Sequence, residues 1–137
     1  MIHLIYVSSA KKEMNDEELY YLLEQSRARN IRKNITGMLL YLNGNFIQIL
    51  EGDKKDVEKI YEDIVIDDRN TGNILISKEK INERIFPNWS MGFKHLKKEH
   101  SNIPGYTEFL NKEMKPKEIA NNPNEVVDLL FMFRNNT

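Results

Sequence analysis

Residues 35–52 read ITGMLLYLNGNFIQILEG, and the architecture follows from how this stretch pairs with itself. Two apolar runs, 38–42 and 46–50, flank Asn43-Gly44. Asn-Gly between β-rich segments is the strongest short-range sign of a type I′ hairpin, because both central residues need positive φ. A two-residue turn sets the register: Leu42 opposite Asn45, Tyr41 opposite Phe46, Leu39 opposite Gln48. Phe46, Gln48 and Leu50 then share one face of the sheet, while Ile47 and Ile49 share the other. Both faces are apolar, which predicts a hairpin buried on both sides and central to its sheet. Gln48 breaks the pattern. A primary amide in a buried strand needs partners for two N–H donors and an oxygen, or it costs about 1–3 kcal/mol.

Upstream, residues 2–7 (IHLIYV) form an apolar run short enough for a buried strand. Ile2, Leu4 and Tyr6 face one way, and His3, Ile5 and Val7 the other. Asn15 followed by Glu18 predicts an N-cap close to a capping box, and Asp16, Glu17 and Glu18 load the first turn with charge that suits the helix dipole. Leu19, Leu22 and Leu23 recur at helical spacing, and their stripe continues into Ser26 and Asn30. Spacing leaves two readings of that polar end. In one, Ser26 back-bonds to its helix and Asn30 is a left-handed C-terminal residue facing water. In the other, a polar ligand docks beneath the helix.

Downstream, Asp53 is placed to cap a second helix, with Asp56 in its first turn and Val57, Ile60, Tyr61 and Ile64 as its sheet-facing stripe. The helix runs into Asp67-Asp68-Arg69-Asn70. Acids at a helix C-terminus oppose the macrodipole, so they belong either to a solvated turn or to another task. Residues 73–76 and 84–93 read as two further strands around a charged connection, SKEKINER. Within FPNWSMGF, Pro87 marks an edge or strand start, and Trp89, Met91 and Phe93 alternate onto one face, with core packing as the simplest account. From residue 94 the chain turns polar. Residues 106–114 read as a short helix, and Asn122-Pro123-Asn124 opens a final one in which Val126, Val127, Leu129, Leu130, Met132 and Phe133 cover much of the circumference. Such a helix must bury itself on the sheet or on a partner. The order β-α-β-β-α-β-β followed by helices predicts an α+β, ferredoxin-like mixed sheet with two helices on one face and the other face open to the tail.

Composition narrows the function. At 137 residues, 40% hydrophobic and 30% charged, the chain is sized for one soluble domain with a short appendage. Lys+Arg 20 against Asp+Glu 21 argues against the usual basic nucleic-acid surface. No apolar run approaches the roughly 20 residues that span a bilayer. The sequence opens directly on IHLIYV, without a charged leader, which reads as cytoplasmic. Cysteine is absent, excluding disulfides, thiolate metal sites and any photochemistry through a cysteine adduct. There is no G-x-G-x-x-G after a strand, no P-loop and no G-x-S-x-G, and His3, His95 and His100 lack metal-ligand spacing. Enzyme readings are weak, and the fold by itself selects no activity.

Five segments together, in this order and spacing, resemble BLUF domains, the blue-light sensors that use FAD. They are LIYVS around Tyr6, LLEQSRARN ending in Asn30, the hairpin stretch, DDRN, and RIFPNWSMGF. Departures are modest: Asn70 stands where the family usually has histidine, Asn34 where glycine is common before ITG, and Arg29 at a position that varies. The resemblance implies an FAD held non-covalently between the two helices. Asn30 would pair with the ring's N3–H and C4 carbonyl, with Asp67 and Arg69 on the pyrimidine side. Gln48 would face N5 and the C4 carbonyl while bonding Tyr6. Leu22, Phe46 and Ile64 would sandwich the ring, and Ser26 would support the amide network.

By the same resemblance, Tyr6 is the photo-oxidisable phenol, and Trp89 and Met91 are the movable pair beside Gln48. Light then rearranges hydrogen bonds, and the amide can exchange donor for acceptor by rotation or tautomerisation. That makes the chain a switch and not an enzyme. Residues 1–95 would form the sensor and 96–137 a helical extension carrying output to a second copy or a separate effector protein, with no nucleic acid or membrane involved. FMN or riboflavin is expected to replace FAD with weaker binding at most. The competing classes are a non-photoactive interaction module of the same fold and a flavin-dependent redox enzyme.

Overall fold

The computed structural model describes residues 1–96 and 115–132. Its elements are β1 (Ile2–Ala10), α1 (Asp16–Lys33), β2 (Thr36–Leu42), β3 (Asn45–Gly52), α2 (Lys54–Ile66), β4 (Asn70–Lys80), β5 (Gly92–Leu96), α3 (Pro116–Ala120) and α4 (Pro123–Met132). The sheet runs β4-β1-β3-β2-β5. β1 pairs antiparallel with β3 and β4, β2 pairs antiparallel with β3, and β5 lies parallel to β2. This is the ferredoxin-like mixed sheet expected, extended by β5.

The hairpin forms as its turn residues require. Asn43 and Gly44 take φ of 49° and 80°, and Leu42, Tyr41 and Leu39 pair with Asn45, Phe46 and Gln48. β2 and β3 are buried along their whole length, so each face of the sheet carries a core. On one face Leu4, Tyr6, Leu39, Phe46 and Leu50 pack with Leu19 and Leu23 of α1 and Val57 and Ile60 of α2. On the other, Ile5, Val7, Met38, Leu40, Ile47 and Ile49 pack with Phe86, Ile119 of α3, and Val126, Leu129 and Leu130 of α4. The final helix thus buries itself on the sheet.

Several local expectations need correction. α1 has the full capping box at Asn15 and Glu18, but its left-handed C-cap is Asn34 (φ 54°), not Asn30, because the helix runs a turn further. Asp53 stands at the N-cap of α2 without a side-chain cap bond. The segment 77–80 belongs to β4, whose exposed edge carries the charges of SKEK; charge suits an edge strand as well as a loop. Residues 84–91 are not a strand. Ladder pairing starts only at Gly92, after a turn through the exposed Pro87, so no strand alternation acts on Trp89. Trp89 packs with the α4-side core, whereas Met91 and Phe93 pack with the α1–α2 side. Trp89 fits there because position 92 lacks a side chain: a Cβ on Gly92 would lie 2.1 Å from the indole. The helix expected over 106–114 and the final residue of the α4 stripe, Phe133, lie outside the described residues.

Candidate functional site

The α1–α2 face is not filled. A cavity of about 230 Å³ lies there, lined by Tyr6, Leu22, Gln25, Ser26, Arg29, Leu39, Phe46, Gln48, Ile64, Asp67, Arg69 and Asn70. Strand residues Tyr6, Leu39, Phe46 and Gln48 make its floor. α1 supplies one wall through Leu22, Gln25, Ser26 and Arg29, an i, i+3, i+4, i+7 face. The end of α2 and the start of β4 supply the other.

Tyr6 and Gln48 are ladder partners on adjacent strands, so their side chains share a face. The Tyr6 hydroxyl donates to Gln48 Oε1, and Gln48 Nε2 donates to Met91 Sδ at 3.3 Å. These contacts give the buried amide a partner on both of its ends. Burial pushes the Tyr6 phenol well above its ordinary value, against an opposing pull from Arg29. The phenol is therefore neutral and holds its proton on the amide.

The polar end of α1 points inward. Ser26 Oγ back-bonds to the Leu22 carbonyl at 3.0 Å, as one reading expected. Asn30 is fully buried rather than facing water: its Nδ2 donates to the Ser90 carbonyl at 2.7 Å and its Oδ1 accepts from Arg29 Nε at 3.2 Å. Asn30 sits beside the cavity rather than lining it. Arg29 Nη2 is buried without a hydrogen-bond partner.

Of the two acids after α2, Asp67 has a specific task. Asp67 accepts from the Arg69 backbone N–H at 2.9 Å and from its guanidinium, with Nη2 at 2.6 Å. Arg69 holds the Asp67 carboxyl below its usual range. Arg69 Nη1 reaches Gln25 Oε1 at 2.8 Å, tying the two walls together. Asn70 Nδ2 donates to the Ile64 carbonyl at 3.0 Å, closing the end of α2.

The structure thus brings together Tyr6, Leu22, Ser26, Phe46, Gln48, Ile64, Asp67 and Arg69 around one cavity, with Met91 behind Gln48. Trp89 lies on the opposite side of the sheet, stacked on Phe86 at 5.8 Å. Gln25, Arg29, Leu39 and Asn70 line the cavity without having been singled out as cofactor contacts from sequence. Extending the α1 pattern from Leu22 instead of Leu19 reaches Gln25, Ser26 and Arg29.

Comparison with known proteins decides the family: the model for BLUF, "Sensors of blue-light using FAD", matches residues 1–92. The chain belongs to the BLUF family. Photoactivated adenylate cyclase subunit beta of Euglena longa is 36% identical over 89 residues, covering 64% of this chain and 10% of that protein. Subunit alpha of Euglena gracilis is 37% identical over 86 residues, covering 63% of this chain and 8% of that protein. The chain therefore spans about a tenth of these curated relatives. Among solved structures, a bacterial light-regulated adenylyl cyclase is 43% identical with a TM-score of 0.66, over 70% of this chain and 28% of that one. The BlsA ground state superimposes more fully, with a TM-score of 0.76 and 27% identity over 96% of this chain and 87% of that one. In this BLUF domain the asparagine at position 70 keeps a polar contact to the end of α2.

Proposed function

We propose that residues 1–95 are a blue-light photoreceptor holding FAD non-covalently in the α1–α2 cavity, and that residues 96–137 carry its output. The observation that carries this reading is the Tyr6 hydroxyl seated on the Gln48 amide in the cavity floor. The residues fit a flavin ring. Leu22, Phe46 and Ile64 offer apolar walls, and the unpartnered Arg29 Nη2 calls for an acceptor such as a ring carbonyl. Asn30 has one N–H and one lone pair left for the same edge. Asp67 and Arg69 stand at the other wall, and Ser26 steadies α1 between them.

At 230 Å³ the cavity lies below the roughly 300–1,000 Å³ of common ligand pockets, so it suits the ring system rather than a whole dinucleotide. Arg69 also borders an open groove with Lys11 and Lys12, but Glu17, Glu18 and Asp68 line that groove too. The groove's opposed charges give little net pull on phosphates. Recognition then rests on the ring, and FMN or riboflavin replaces FAD with weaker binding at most.

When bound and excited by blue light, the flavin supplies a strong one-electron oxidant. Tyr6, in the cavity floor, would be its electron donor. A phenol that has lost an electron is strongly acidic, and Gln48 Oε1, the existing hydrogen-bond acceptor, would take its proton. Gln48 then exchanges donor and acceptor, by rotation or by tautomerisation, and the bond to Met91 Sδ changes with it. Return of the electron and proton restores Tyr6, so no product accumulates and the chain works as a switch, not an enzyme. Met91 leads into β5, and Trp89 answers to it from the far side of the sheet. Output passes to a second copy or a separate effector through the C-terminal helices. No described helix is long and apolar enough to cross a membrane, and the near-balanced charge, net −1, argues against the usual basic nucleic-acid surface.

A visible spectrum before and after illumination tests the reading. The protein should purify yellow, and blue light should shift its absorption to the red, reversibly and without bleaching. A colourless protein after growth with ample flavin contradicts it, and bleaching to reduced flavin would favour a redox enzyme.

A further inference from the structure

The segment between β4 and β5, residues 81–91, passes from one face of the sheet to the other. At its far end it is gripped from the cavity side. Asn30 Nδ2 holds the Ser90 carbonyl at 2.7 Å, Arg27 Nε holds the Met91 carbonyl at 3.0 Å, and Gln48 holds Met91 Sδ. At its near end the Ile81 N–H donates to the Met1 carbonyl at 3.1 Å, and a few residues on a buried acid grips it again. Glu51, in β3 three positions beyond Gln48 and fully buried, accepts from the Ile85 N–H at 2.6 Å through Oε2 and from the Phe86 N–H at 2.8 Å through Oε1. Arg84 braces the same point, donating to the Glu51 carbonyl, Thr36 Oγ1 and the Asn34 carbonyl, each at 2.8 Å.

A fully buried carboxylate is costly, and two directed N–H bonds are the usual compensation. Burial pushes the Glu51 carboxyl above its ordinary range, while the Ile85 and Phe86 N–H groups, Arg84 and His3 pull it back. What Glu51 holds is the backbone under Phe86. Phe86 stacks on Trp89 at 5.8 Å and sits in the same core as Val126, Leu129 and Leu130 of α4.

We propose that Glu51 is a positioning residue for light output: its carboxylate pins residues 85–86, so that movement of Ser90 and Met91 turns Phe86 and Trp89 against α4 instead of sliding the whole segment. The proposal rests on the flavin reading above, since it needs light to move Met91. With residues 85–86 fixed and the Trp89 carbonyl held by the Gly37 N–H at 3.0 Å, a displacement at Ser90 and Met91 is passed to the two stacked rings. Without the Glu51 side-chain bonds, the Arg84 contacts and the Ile81–Met1 bond leave residues 85–86 slack enough to absorb more of it. Glu51 lines no part of the cavity, so it acts on transmission and not on the photochemistry.

The test compares flavin-loaded, full-length wild type, Glu51→Gln and Glu51→Asp by two readouts: the light-induced red shift, and hydrogen exchange of the α4 amides in light and dark. Glutamine offers one acceptor oxygen for two N–H groups, and aspartate withdraws the carboxylate by a methylene. In wild type, light should change α4 exchange by about fivefold or more, the low end of measured coupling between sites. Both variants should keep the red shift and lose most of that light–dark ratio. A variant with the wild-type ratio overturns the proposal. So does one that loses the red shift or cannot be loaded with flavin, because Glu51 would then act on the cavity itself. The wild-type control separates the two readings: no red shift in wild type defeats the flavin reading beneath, whereas a wild-type shift with an undiminished variant ratio defeats the clamp alone.

Discussion

The two faces of the sheet are built from the same strands and packed to different ends. On the α3–α4 side, Ile5, Val7, Ile47 and Ile49 pack with Val126, Leu129 and Leu130, and the pocket beside α4 among the described residues is about 10 Å³. On the α1–α2 side the alternate residues of β1 and β3 include Tyr6 and Gln48, and the gap is about 230 Å³. A strand shows successive residues to opposite faces, so one change of residue type at every second position makes a closed core on one side and a lined cavity on the other. Both faces carry a buried core, but the α1–α2 side also keeps a polar-lined cavity, and residues 81–91 join the two sides.

That division can be broken first at its closed side. Replacing the buried Ile49 by alanine is expected to cost about 2–5 kcal/mol in urea unfolding while leaving flavin affinity unchanged. A loss of flavin binding matching the loss of stability would show that the faces are not separable. Flavin itself sharpens the comparison from the other side. Saturating the cavity at about 100 times Kd should stabilise the fold by about 2.7 kcal/mol, read as a rise in Tm. The increment should be the same in wild type and in Ile49→Ala.

Much of this was legible in the residues. Asn43-Gly44 fixes the hairpin and its register, and the register alone sets Gln48 on the face of Phe46 and away from Ile49. Asn15 and Glu18 announce the start of α1. Other features depend on partners distant in sequence. The inward turn of Asn30 depends on the Ser90 carbonyl sixty residues away, and helical spacing cannot distinguish it from a cap. The charged run of β4 pairs with β1 because an edge strand exposes one side to water. The side taken by Trp89 is decided by the turn before Gly92 and by the space that glycine leaves. Arg29 was noted only as a variable position, yet its guanidinium reaches the cavity wall.

The central claim is that the Gln48 amide converts oxidation of Tyr6 into a change of hydrogen bonding. Its most direct test is the light-minus-dark visible spectrum of flavin-loaded Gln48→Ala beside wild type. The account predicts a yellow variant whose spectrum does not move under blue light, against a reversible red shift in wild type. A full red shift in the variant would contradict it.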